Sequence, residues 1–196
     1  MRKLTRSFYA READVVAADL IGTVLVRTDG KVRRRARIVE TEAYVGEHDL
    51  ACHAAAGRTA RTEHLYGAPG ISYVYFIYGM YWCFNAVTRE EGLPSAVLVR
   101  ALEPLDGIPL MRKRRRGRDD ADLTNGPGKL CQALAITGSM TGKPLQRKPL
   151  VIREGQSVAN REVEITTRIG ITKSADWPLR FIVKGNKYVS KGKLSG

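Results

Sequence analysis

The sequence predicts an α+β fold. The expected architecture is one domain over residues 1–196, with a mostly antiparallel, curved, open-barrel-like sheet flanked by helices and carrying a protruding β-hairpin. Short strand-like runs separated by turn signals recur from Ile21 to Val183, and helix-like stretches are few and short. No internal repeat, low-complexity tract or linker divides the chain, and 196 residues suit one domain.

Taken in order, Asp14 to Leu20 reads as an Ala-rich helix that opens on an Asp and is ended by Gly22. Ile21 to Val26 and Arg35 to Glu42 read as strands, with Asp29-Gly30 as the turn signal between them. Gly46 to Gly70 is polar, Gly-punctuated and holds all 3 histidines, so a long ordered loop with one short helix is expected. Tyr73 to Phe84 reads as two strands about Gly79. Ala96 to Ala101 is the next strand, Leu105 to Arg116 a helix, and Gly128 to Ala135 a helix behind a Gly126-Pro127-Gly128 turn. Leu150 to Ile152, Val163 to Ile165, Arg168 to Ile171 and Arg180 to Val183 complete the strands.

With 33 Lys and Arg against 20 Asp and Glu, the formal charge is +13, which excludes an acidic or disordered identity and asks for a polyanionic partner. Nucleic acid, ribosome and anionic membrane all satisfy that demand, and charge alone does not choose among them. A chain of this length buries roughly 70% of its unfolded surface, so no metal or disulfide is required for stability. The 3 cysteines, Cys52, Cys83 and Cys131, are an odd, widely spaced set lacking a CxxC pair, which suggests a reducing compartment. The first apolar stretch, Val15 to Val26, is interrupted by Asp19, Gly22 and Thr23, and resembles neither a signal peptide nor a membrane span. A soluble intracellular protein without a membrane partner is expected.

Two basic clusters stand out, Lys31, Arg33, Arg34, Arg35 and Arg37, and then Arg112 to Arg116 with Arg118. Such runs most often form a solvated face, with phosphate contact as the alternative. The polar run from the second cluster to Thr124 reads as a mobile surface loop.

Aromatic residues are distributed still less evenly. Tyr73-Val-Tyr-Phe-Ile-Tyr-Gly-Met-Tyr-Trp-Cys-Phe84 carries seven of the chain's 14 aromatic side chains. Tyr73, Phe76 and Phe84 suit a buried hairpin core. Tyr78, Met80 and Tyr81 fall near the tip, where a core has no use for them; in a basic protein, large apolar tip residues suggest a wedge between stacked bases.

Glu40, Glu42 and Tyr44 share one face if their strand continues. For Glu40 the default reading is an ionic partner to the neighbouring basic run, and for Glu42 the alternative is a general base beside an aromatic platform. His48, Cys52, His53 and His64 lie close in sequence, but their spacing fits no common zinc pattern and no deaminase signature accompanies them, so no metal and no cofactor are expected. A stacking or hydrogen-bonding role for His53 is more natural. There is no Walker loop, GxSxG elbow or strand-linked GxGxxG, and Gly126-Pro-Gly-Lys129 reads as a capped helix start with free amides.

Four segments together resemble a known family. They are Arg37-Ile-Val-Glu-Thr-Glu-Ala-Tyr-Val-Gly46, Tyr73 to Asn85, Leu98-Val-Arg-Ala-Leu-Glu-Pro-Leu105 and Asn125-Gly-Pro-Gly-Lys-Leu-Cys-Gln-Ala-Leu134. With Arg168-Ile-Gly-Ile171 and Pro178-Leu-Arg-Phe181 they resemble, in order, the alkyladenine or 3-methyladenine DNA glycosylases. The resemblance implies hydrolysis of the N-glycosidic bond of alkylated and deaminated purines in duplex DNA, by a monomer acting in the cytoplasm or nucleoid if the source is bacterial. It implies Glu42 as the general base for water and Arg100 as the residue that helps hold water and carboxylate. Tyr44, His53 and Tyr75 match the pocket for the flipped base, and Asn85 the filter that crowds the guanine amino group. Tyr78 matches the intercalating wedge, with Met80 and Tyr81 flanking it in the minor groove. The loop Arg58-Thr-Ala-Arg-Thr62 departs from the family's Arg-Thr-Pro-Arg-Asn. No lysine in the pocket segments suggests a Schiff-base nucleophile, so a monofunctional enzyme without strand cleavage is expected. The rival expectation is a binding module that grips nucleic acid with the same face and does no chemistry. Glu42 separates the two.

Overall fold

A computed structural model describes residues 1–191. Helices α1 (Arg6–Tyr9) and α2 (Ala13–Leu20) lead into strands β1 (Val24–Asp29) and β2 (Val32–Tyr44). Two short 3-10 helices, His53–Ala56 and Glu63–Tyr66, precede the hairpin β3 (Ser72–Ile77) and β4 (Tyr81–Val87). Strand β5 (Ala96–Asp106), helices α3 (Ile108–Arg114) and α4 (Pro127–Leu134), and strands β6 (Gln146–Arg147), β7 (Leu150–Arg153), β8 (Val163–Thr166) and β9 (Arg180–Val183) follow. The sheet runs β3-β4-β5-β2-β1-β7-β6, and the β8–β9 pair joins it along the second half of β2. Every pairing is antiparallel, and the sheet curls into a half-barrel with the helices against it.

The apolar spacing of α2 explains its placement, because Ala13, Val16, Ala17 and Leu20 form one buried stripe against the sheet. Helix α4 starts with Pro127, whose missing N–H costs nothing in a first turn, and buries Leu130, Cys131, Ala133 and Leu134. Phe84, Val97, Val99, Leu102 and Met111 join these residues in the main core.

Two irregularities in the central β2–β5 pair position the site. The register passes from Ile38↔Leu102 to Glu40↔Ala101, and then to Thr41↔Val99, leaving Val39 on β2 and Arg100 on β5 as extra residues. A bulge switches which side chains face which way. Ala36 and Ile38 face the main core before it, and Ala43 after it; on β5 the core side chains are Val97, Val99 and then Leu102. The switch keeps the core continuous and collects Glu40, Glu42, Tyr44, Leu98 and Arg100 away from it. Thr41 stays on the helix side, donating its hydroxyl to the Ala17 carbonyl at 2.9 Å.

Several expectations are corrected here. Arg168 to Ile171 is no strand but part of the loop between β8 and β9, because Gly170 at φ +77 takes the chain out of extended conformation. Strand β5 runs through Asp106, so the helix expected from Leu105 begins at Ile108. Phe76 is exposed rather than core, its ring tilted against Trp82 with centroids 4.7 Å apart, where the hairpin runs past the edge of the main core. The Arg-rich segment to Thr124 is tied down by Arg112–Asp120 and Lys129–Asp122 ion pairs, a 3-10 helix at Asp120–Asp122, and buried Leu123 and Thr124. The first basic cluster is not a free solvated face either: Arg34 is buried, Arg35 pairs with Asp106 and Arg37 with Glu103. Helix α1 is too short to show periodicity in sequence.

Candidate active site

Glu42 lies at the centre of the polar network and has 0% of its surface exposed. Its Oε1 accepts the Ile169 amide at 2.9 Å, and its Oε2 accepts the Tyr44 hydroxyl at 3.0 Å and an Arg100 Nη at 3.2 Å. Burial pushes the Glu42 carboxyl above the ordinary glutamate range, and Arg100, the Ile169 amide and Tyr44 oppose that rise without cancelling it. The same burial, reinforced by Glu42, raises Tyr44 well above the usual phenol range, so its hydroxyl stays a donor. Burial acts to lower Arg100, but Glu42 and Glu40 outweigh it and the guanidinium is held upward.

Arg100 bridges two acids, giving Nε to Glu40 at 3.1 Å while its Nη serves Glu42 and the Ile169 carbonyl. Glu40 also receives Arg180 Nε at 2.7 Å and the amide and hydroxyl of Ser190 at 2.6 and 2.8 Å. The expected role of Glu40 as counter-charge to the basic run beside it is therefore corrected: its partners come from β5, β9 and the chain near Ser190.

In front of this network opens a cavity of about 840 Å³. Tyr44, His53, Tyr75, Asn85, Leu98, Arg100 and Ile169 line its inner part, whereas Glu42 sits behind that wall. The His53 and Tyr75 rings meet edge to face at 4.5 Å between centroids. His53 Nδ1 lies 2.9 Å from the Tyr73 hydroxyl. Burial lowers His53 from the ordinary imidazole range and Arg61 lowers it further, so the ring is neutral at pH 7. Asn85 is buried and fixed by donation from Nδ2 to the Tyr73 carbonyl at 3.1 Å.

The hairpin tip stands at the mouth. Ile77 pairs with Tyr81 across a three-residue loop in which Tyr78 and Gly79 take φ of +54° and +66°, and Met80 N closes a turn on the Ile77 carbonyl at 3.2 Å. Tyr78 is 76% exposed and Met80 63%. Tyr78 and Tyr81 border the cavity, with Arg115, Arg118 and Gly126 to Lys129 across from the inner wall. Gly128 touches the Tyr81 ring so closely that a Cβ there would lie 2.9 Å from it. Lys129 reaches the cavity although it fell outside the segments first read as pocket; its Nζ is engaged by Asp122 at 2.5 Å and Asn125 at 2.9 Å.

Of the residues singled out in sequence, Tyr44, His53, Tyr75, Tyr78, Tyr81, Asn85 and Arg100 line one cavity, with Glu42 behind the wall and Met80, Glu40, His48 and His64 outside the lining. Three contributions were not foreseen. Tyr73, read as core, also holds the His53 ring through Nδ1. Ile169 supplies the amide on Glu42 from a loop whose sequence looked like a strand. Arg168, wholly buried, forks onto Asp49 with an Nη2 to Oδ1 distance of 2.8 Å and lies 4.8 Å from the Tyr44 ring centroid, bracing both loop and aromatic wall. Asp49 carried no sequence signal, since its partner is 119 residues away. Among the described residues, no three His, Cys, Asp or Glu side chains gather as a metal site, and no helix is long and apolar enough to cross a membrane.

Comparison with known proteins extends these observations. The family model described as methylpurine-DNA glycosylase matches residues 7–187. A protein of Carboxydothermus hydrogenoformans named "Putative 3-methyladenine DNA glycosylase" is 48% identical over 189 residues, covering 96% of this chain and 98% of that one. A protein of the same printed name from Myxococcus xanthus is 47% identical over 199 residues, covering 100% and 97%. One from Methanoculleus marisnigri is 47% identical over 191 residues, covering 96% and 98%.

Proposed function

The chain belongs to the methylpurine-DNA glycosylase family, and from that premise we propose that it flips alkylated or deaminated purines out of duplex DNA into the cavity and hydrolyses the N-glycosidic bond with a Glu42-activated water. DNA is its substrate and 3-methyladenine-type glycosylase chemistry its activity. The choice of lesions, including 3-methyladenine, 7-methylguanine, hypoxanthine and ethenoadenine, the flipping step and the residue roles are the proposed part. The observation that carries it is the sealed carboxylate, held by Arg100, Tyr44 and Ile169 directly behind an aromatic cavity.

In this reading the lesion base enters between the rings of Tyr44, His53 and Tyr75. A cationic base such as 3-methyladenine is favoured there by the electron-rich faces and is already a good leaving group. Tyr78 fills the space left in the stack, and unstacking costs a few kcal/mol, least for a weakly paired lesion. Asn85, rigid on the Tyr73 carbonyl, crowds the position a guanine amino group would take. His53 presents its free ring nitrogen, Nε2, to the base.

A carboxylate offers about four acceptor positions. Three on Glu42 are filled, and release of the Tyr44 hydroxyl gives a second to a water. The water oxygen attacks the sugar C1′, its proton passes to Glu42, and the C1′–N bond breaks with its electron pair moving to the base. A cationic base then leaves neutral, whereas a neutral purine also takes up a proton. Arg100 favours the ionised form of Glu42 against its burial, which is what a base acting near neutral pH needs. Lys129 is tied into its ion pair with Asp122, which supports water rather than an amine as the nucleophile, and hence no strand cleavage. Incubation with duplexes bearing hypoxanthine, 1,N6-ethenoadenine or 7-methylguanine, followed by alkaline cleavage of abasic sites, tests the proposal. Release from at least one lesion by the wild type is expected, and no release from any would reject it.

A further inference from the structure

Strands β1 and β2 and helix α3 bring three guanidiniums around one carboxylate. Arg27 and Arg34 face each other directly in the β1–β2 register, an arrangement in which like charges repel. Arg114 joins them from the last turn of α3. Asp29 Oδ2 lies 3.5 Å from Arg34, 3.7 Å from Arg114 and 3.8 Å from Arg27. Arg34 is completely enclosed, yet its Nε and both Nη atoms have no hydrogen-bond partner among the described residues, and Arg114 Nε has none either. Arg27 fares better, donating to the carbonyls of Thr28 and Ala135.

Buried polar groups are normally satisfied, and a buried cation without hydrogen bonds is costly. The local balance is three cations to one anion. Burial lowers Arg34 from the ordinary guanidinium range, Arg114 and Arg27 press the same way, and Asp29 only partly opposes them. A doubly charged tetrahedral oxyanion answers both needs at once, since it supplies the missing charge and presents acceptors that match guanidinium forks. Asp29 and Arg114 provide the way in: Asp29 stands beside Gly30 at the β1–β2 turn, and both side chains are part-exposed.

We propose that Arg27, Arg34 and Arg114 form a binding site for a small phosphate-class oxyanion, with Asp29 as the resident carboxylate that this ligand displaces. None of Arg27, Asp29, Arg34 and Arg114 lines the cavity, although Arg115 beside Arg114 does. The ligand argued for is a small oxyanion from solution, and the duplex-binding arm of the test separates it from DNA phosphate.

The test is thermal unfolding of the full chain titrated with inorganic phosphate, against chloride at matched pH and ionic strength. The wild type should show a saturable rise in melting temperature, as for a ligand that binds the native state. Arg34→Met should abolish the rise. Arg114→Met, on a part-exposed surface and safe for folding, should weaken apparent phosphate affinity by about tenfold, the loss of one charge-assisted hydrogen bond. Asp29→Asn should melt lower than wild type in chloride and gain more from phosphate. Equal phosphate responses in wild type and both Met variants would overturn the proposal. So would a phosphate-insensitive wild type accompanied by weaker undamaged-duplex binding in Arg34→Met, which would assign the cluster to DNA.

Discussion

Replacing Arg100 with Met tests how the buried carboxylate is kept ready. Arg100 is the cation nearest Glu42, at 3.2 Å between Nη1 and Oε2, in a pair whose side chains are 13% and 0% exposed. Unit charges about 4 Å apart attract by about 1 kcal/mol in water and about 4 kcal/mol at the effective dielectric of a protein interior. Each 1.4 kcal/mol is a tenfold change in the protonation equilibrium, so removing the cation should make Glu42 harder to ionise by roughly one pH unit or more. Burial already holds Glu42 above its ordinary range, and only the ionised form accepts a proton from water. Activity must therefore fall as pH drops through that raised value, and without Arg100 the fall begins at higher pH. Single-turnover base release from a hypoxanthine duplex, followed against pH, should show the acid limb moved to higher pH in Arg100→Met, with activity partly recovered on raising the pH. Arg100→Lys retains a cation that reaches one acid but not both, and its limb should lie between. Breaking a buried pair costs about 3–5 kcal/mol of stability, so melting curves must establish the folded fraction at each pH. An acid limb left in place, with activity depressed equally at all pH values, would refute the electrostatic role and leave Arg100 a steric one.

Tyr78→Ser removes an exposed ring from the hairpin tip, and should weaken lesion-duplex binding and slow excision with little change in melting temperature; unchanged affinity and rate would remove the wedge role. Arg168→Met leaves Asp49 buried and unpaired and should destabilise the fold by about 3–5 kcal/mol in denaturant titrations, whereas a loss under 1 kcal/mol would show that the ion pair does not brace the Tyr44 wall. Binding to undamaged duplex should tighten as salt is lowered, because phosphate neutralisation releases counterions, and a flat dependence would argue against the Arg115, Arg118 and Lys129 border as a DNA face.

Much of the site was legible in the sequence because strand alternation is a short-range rule. Glu40, Glu42 and Tyr44 fall on one face by spacing alone, and the aromatic hairpin announces its own turn through Gly79. Arg100, the cationic partner of Glu42, was legible only through the family resemblance, since it is 58 residues away and reaches the acid from a bulge that no local pattern encodes. Ile169 was misread for a related reason: an apolar-Arg-Gly stretch has strand-like composition, and its loop path depends on Gly170 and on the Arg168–Asp49 pair. The basic cluster in β2 was misread because charge in a sequence does not reveal that Arg34 is buried opposite Arg27 and against Gly107, while Arg35 and Arg37 pair with acids of β5.

The central claim is that Glu42 activates the water that releases the base. The direct measurement is single-turnover release of hypoxanthine or 7-methylguanine by wild type and Glu42→Gln, with lesion-duplex binding measured alongside. The account predicts that Glu42→Gln still binds the lesion duplex but releases base at least about a hundredfold more slowly, the scale of a lost general base. Full activity in Glu42→Gln would contradict it.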